Sequence, residues 1–150
     1  MLKTRKTWRE KLQNARMAKV VDTPAGVMLV PSPRDVDMLI RRIQRGKLAT
    51  TDQIRRRLAK DSSADYLCPL VTGIFLRICA ETAEEDRRTG ASDIAPYWRV
   101  VKTDGTLNGK FPGGAEAQGQ LLREEGHIIE AGKGEKLPRV SDLRDSLESP

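Results

Sequence analysis

Hydrophobic positions in this chain fall into short groups separated by polar breaks, and their spacing predicts the elements. Val36, Leu39, Ile40 and Ile43 recur at helical spacing behind Ser32-Pro33-Arg34-Asp35, which supplies an N-cap, a proline at the first helical position and an acid in the first turn; Gly46 ends the repeat. A second helix starts at Thr50 or Thr51 as cap, points Ile54, Leu58 and Ala59 inward, keeps Arg55, Arg56 and Arg57 on its other faces, and stops at 60–63. Val71, Ile74, Phe75 and Ile78 predict a third helix over 70–88, packed on the second. Gly73 inside it costs about 1 kcal/mol against alanine, so a neighbouring helix or a ligand is expected to approach closely there. Two helices joined by a short connection read as a helix-turn-helix unit.

The flanks are less regular. Positions 27–30 read as an edge strand behind a mobile arm, so 1–30 is expected to stand apart from a body over 31–130. Val100 and Val101 form a short strand, 103–106 a turn, and 107–111 is expected to return as the second strand of a wing. A last helix over 116–125, with Ala117, Leu121 and Leu122 inward, ends at Gly126, and the polar tail 131–150 is expected to be loosely ordered. With 38% hydrophobic residues in 150, the chain can bury one core.

Charge changes the picture by its location. The net charge is +6, from 27 basic and 21 acidic residues, and the segment 1–19 alone holds seven basic residues against Glu10. The remainder is neutral but polarised: Arg41, Arg42, Arg45, Lys47, Arg55, Arg56, Arg57 and Lys60 face only Asp52 between positions 41 and 60. Such a cluster fits phosphate contact, with salt-sensitive binding. Glu81, Glu84, Glu85 and Asp86 read as a solvated face that repels DNA, or as a surface for a partner protein.

Cys68, Cys79 and a single histidine, His127, are too few for a structural zinc site, and a serine or cysteine nucleophile with a histidine base would have to run through His127. Pro112-Gly113-Gly114 lacks the lysine of a phosphate-binding loop. Neither a metal nor a cofactor is expected. No apolar run reaches the ~18 residues of a membrane span, and the basic start lacks a signal's apolar stretch, so a cytoplasmic monomer is expected.

The run Pro96-Tyr97-Trp98-Arg99-Val100-Val101, then Asp104-Gly105, Leu107, Gly113-Gly114 and Leu121-Leu122-Arg123-Glu124-Glu125-Gly126-His127, resembles the DNA-alkylguanine alkyltransferase family, whose members carry Pro-Cys-His-Arg-Val-Val, an Asp-Gly turn, a Gly-Gly pair and a Leu-Leu-x-x-Glu-Gly end in that order. Positions 46–54 are similar to that family's entry into its DNA-binding domain, and the likeness runs over about 33–129. It implies an α+β winged helix-turn-helix domain like the family's C-terminal one, double-stranded DNA as partner, and a repair protein as a further partner.

The resemblance breaks at the nucleophile, where Tyr97 stands for the cysteine and Trp98 for the histidine. A phenol with a pKa near 10 is a poor nucleophile at neutral pH. The chain is therefore similar to the alkyltransferase-like branch, which lacks the cysteine and binds alkylated guanine without removing the alkyl group. The implied lesion pocket comprises Pro96, Tyr97, Trp98, Arg99, Phe111, Pro112, Gly113 and Glu125: Tyr97 and Trp98 either stack on a base or plug the pocket, Arg99 organises the loop, and Glu125 is left as a helix-end carboxylate or hydrogen-bond acceptor. Pro112 replaces a pocket serine. Thr51 and Thr72 stand where the family has its base-turning tyrosine and its stack-filling arginine, with Arg77 a displaced substitute. Thr51, Gln53, Arg55, Arg56, Thr72, Gly73 and Arg77, together with Arg41, Arg42 and Lys47, are the expected DNA contacts. His127 is expected to cap the helix end or lie on the surface. Two other functions remain open: alkyl transfer through a displaced cysteine, and a protein-interaction module on a winged-helix scaffold.

Overall fold

The computed structural model describes residues 7–150. In chain order the elements are α1 (Trp8–Gln13), β1 (Lys19–Thr23), β2 (Gly26–Val30), α2 (Pro33–Arg41), β3 (Ala49–Thr50), α3 (Thr51–Asp61), β4 (Tyr66–Leu67), α4 (Thr72–Arg88), a 3-10 turn (Tyr97–Arg99), β5 (Val100–Val101), α5 (Gly114–Glu124), β6 (Ile129–Glu130), β7 (Arg139–Val140) and α6 (Leu143–Ser146). This is the expected α+β class. None of the described helices is long and apolar enough to cross a membrane.

Local chemistry accounts for the helix starts. Ser32 accepts from the Arg34 N–H while Asp35 reaches back to the Ser32 N–H, and Thr50 and Gln53 make the same reciprocal exchange at α3. Each pair satisfies N–H groups that a helix start leaves without partners. α2 ends at Arg41, short of the expected stop at Gly46, yet Ile43 remains buried in the turn that follows.

Strand pairing joins distant segments. β1 and β2 form an antiparallel hairpin, and β2 then pairs in parallel with β4, Met28 opposite Tyr66. Gly26 takes a φ of 126°, and the adjoining Val27 N–H donates to Asp65 at 2.8 Å. β3 pairs in parallel with β5, Ala49 opposite Val100 and Thr50 opposite Val101.

Four expectations change. The described part of the expected arm is a helix and a hairpin: α1 lies on α4 with Leu12 buried, while residues 1–6 fall outside the described residues. α4 takes α1 and α2 as its main neighbours rather than α3, because the ten residues 62–71 between α3 and α4 carry β4 into the β2 edge instead of making a short turn. The segment 107–111 does not return as a wing strand; Leu107 N–H donates to the Pro138 carbonyl and Thr106 bridges Arg139. The tail folds back for the same reason, with Val140 and Ser146 buried and Leu48 exchanging backbone hydrogen bonds with Ser146 and Glu148. The core that results collects Leu29, Ile40, Leu48, Ile54, Leu76, Leu107, Leu122 and Val140, from β2 through to β7.

Candidate nucleic-acid interface

The 3-10 turn points Tyr97 into the core. Its ring is 1% exposed, meets Phe111 and Trp98 edge-on at 5.2 and 5.4 Å, and its hydroxyl donates to Glu84 Oε1 at 2.7 Å. Burial first, and the Glu84 carboxylate second, push the phenol well above its ordinary pKa. Ionised tyrosine is thus even less accessible here than in water.

Trp98, also buried, donates its indole N–H to Glu125 Oε2 at 2.7 Å. Arg99 clamps the same carboxylate from Nε at 2.9 Å and Nη2 at 3.0 Å, and donates a further bond to the Ile43 carbonyl at 2.6 Å. The Gly46 N–H adds a donor at 3.0 Å. Burial raises the Glu125 pKa, but the bonds from Arg99, Trp98 and Gly46 outweigh it and hold the carboxyl below its usual range. One carboxylate thereby ties the end of α5 to the 3-10 turn and to the chain beyond α2.

The residues expected to line one lesion pocket border two hollows. Tyr97, Pro112 and Gly113 share an open hollow of about 450 Å³ with Glu84 and Arg87. Trp98 and Glu125 border another of about 290 Å³ with Arg45 and Ser92. Phe111 and Pro96 are buried, and Phe111 supports the Tyr97 ring.

The expected DNA contacts are dispersed too. Thr51, Arg55, Thr72 and Gly73 come together around a recess of about 540 Å³ at the start of α4. Arg41 is bonded to Asp37 at 3.0 Å and to Asp93 at 3.3 Å, the latter beyond the C-terminal end of α4, and does not line the recess. Gln53 spends its side chain on the α3 cap, and exposed Arg56 pairs with Asp52. Arg77 stacks over Trp8 at 5.7 Å beside Glu81. Arg42 and Lys47 are exposed. The cationic run between 41 and 60 therefore does not form a single face. Sequence reasoning missed Lys102, Asn108 and Lys110, which complete the recess; the signal was the Asn108-Gly109 turn followed by a lysine.

The acidic stretch of α4 is not a solvated face. Glu85 accepts from the Trp8 and Arg9 N–H groups, both at 3.1 Å, and Asp86 pairs with Arg9, so carboxylates sit at the positive end of α1. His127 is buried rather than on the surface, with Nδ1 3.2 Å from Asp142, which also accepts from Ser146. Cys79 is buried with its thiol pushed up by desolvation, and it donates to the Pro33 carbonyl; Cys68 is half-buried. No group of metal-ligating side chains occurs among the described residues.

No protein-family model and no curated protein matches the chain. Among solved structures it is similar to S. pombe Atl1 in complex with damaged DNA containing O6-carboxymethylguanine, at 19% identity over 79% of this chain and 94% of that one, with a TM-score of 0.54. It is likewise similar to S. pombe ATL in complex with DNA, at 18% identity with the same coverage and a TM-score of 0.55. At these identities the likeness is one of fold, and the chain has the α+β fold of those two structures across nearly four fifths of its length.

Proposed function

We propose that this protein binds double-stranded DNA and recognises alkylated guanine without removing the alkyl group. The observation that carries the reading is the fold, shared with two structures solved on DNA, one of them bearing an O6-alkylated guanine. Tyr97 supports the second half: it occupies the position that the resemblance gives to the nucleophile, and it is buried, hydrogen-bonded to Glu84 and shifted away from ionisation. In this reading Arg55, Lys102 and Lys110 neutralise phosphates around the recess at the start of α4, and the open hollow beside Tyr97 and Pro112 meets the modified base.

The test is a labelled duplex, plain or with O6-methylguanine, titrated by fluorescence anisotropy across a salt series. Each neutralised phosphate contributes about −0.9 to the slope of log affinity against log salt. The double variant R55E/R56E should weaken binding and flatten that slope, and the alkylated duplex should bind more tightly. Binding indifferent to salt and to both reversals would overturn the DNA reading. A permanent gain in protein mass after incubation with the alkylated duplex would overturn the non-transferring role.

A further inference from the structure

Two large apolar side chains stand in solvent at the start of α4. Leu70, just ahead of the helix, is 80% exposed, and Ile74, in its first turn, is 59% exposed. They stand on either side of the N-cap Val71, four residues apart in the chain. Gly73 beside them has no atom of the described residues within 4 Å of where a side chain would begin, so the backbone there is open to close approach.

The surroundings indicate what these side chains meet. Val71 supplies no capping side chain, so the first N–H groups of α4 remain available as donors to an anion. Arg55, Lys102 and Lys110 line the adjoining recess, and none of its described lining residues is acidic. Thr72, only 6% exposed, lines the same recess, and its hydroxyl has no hydrogen-bond partner among the described residues. An apolar pair this small, next in the chain to residues of a cationic recess and to free backbone donors, lacks the area of a stable protein interface, which takes roughly 800 Å² from each partner. It matches the design in which an apolar side chain enters between stacked bases while cations hold the flanking phosphates.

We infer that Leu70 and Ile74 form a wedge that enters between two base pairs of the bound duplex, while the start of α4 and the recess cations hold the phosphates on either side. The inference rests on the DNA binding proposed above. It differs from the expectation drawn from the resemblance, in which an arginine fills the stack, because the position of that arginine holds the buried Thr72.

The test uses the full chain at saturation on a short plain duplex carrying 2-aminopurine at several positions, a base analogue that brightens when unstacked. Wild-type protein should raise the fluorescence, and L70A/I74A should abolish the rise while lowering affinity about tenfold, the scale of losing one or two buried apolar contacts. The variant should keep the wild-type melting temperature, since both side chains are exposed. A rise that persists in the variant, or binding without any rise, would overturn the wedge and leave the DNA reading standing. An absence of binding by wild-type protein at low salt would overturn both.

Discussion

Replacing Glu125 probes the point where three separate segments are held by one carboxylate. In E125A the Arg99 guanidinium, 13% exposed, keeps only the Ile43 carbonyl, and the Trp98 indole and Gly46 N–H lose their acceptor. The Glu125 side chain is 4% exposed, so solvent screens the pair little. Removing one partner of a buried ion pair costs about 3–5 kcal/mol. A chain of this size loses roughly 2–4 °C of Tm per kcal/mol, so E125A should melt about 10 °C below wild type at neutral pH. E125Q preserves the shape but turns an amide NH₂ toward converging donors, and should fall between the two. The pH dependence follows from the depressed carboxyl: its contribution is present above the unfolded pKa, about 4.3, and is lost as the pH falls through the lower folded value. Thermal melts by circular dichroism over a pH series, with R99A and R99A/E125A completing a double-mutant cycle, measure both effects. A drop of less than about 3 °C for E125A at neutral pH would refute the buried clamp, as would a gap between wild type and E125Q that keeps its neutral-pH size as the carboxyl is titrated at acid pH.

Four further outcomes are expected. Y97F loses the bond to Glu84 and should be destabilised by about 1 kcal/mol in chemical denaturation; Y97C should show no mass gain on alkylated DNA, because Trp98 offers a thiol no base. E85A removes the carboxylate at the start of α1 and should speed hydrogen exchange over Trp8–Gln13 while α4 stays protected, a local loss of about 1 kcal/mol. Deleting 141–150 strips Leu48 of its backbone partners Ser146 and Glu148, removes Asp142 from beside the buried His127, and should lower Tm by about 5 °C or more.

Comparing these elements shows which features were legible before folding. The starts of α2 and α3 were, because a capping box is made within four consecutive residues and needs nothing from the rest of the chain. The inward positions Val36, Leu39, Ile40, Ile54 and Leu58 were legible too, since helical spacing is a local property. Of the site, the roles of Arg99 as loop organiser and Glu125 as acceptor followed from the 96–127 motif, and both side chains take them. The unity of the cationic face did not follow: Arg41 and Arg55 are close in sequence yet sit toward opposite ends of α4, because the turn after α2 and the start of α3 intervene.

The sequence alone determined an α+β chain with capped helices, one core, a Tyr97-Trp98 pair ahead of Arg99 and an excess of positive charge at its start. Tertiary structure decided how those parts meet. Only folding sets β3 against β5, lays the start of α1 on Glu85, returns the tail to Leu48, buries Tyr97 against Phe111 and leaves Leu70 and Ile74 in water. Each of these joins or separates groups distant along the chain. Partners of that kind are chosen by competition for buried area and for unsatisfied donors and acceptors across the whole molecule, and no short window of sequence contains that competition.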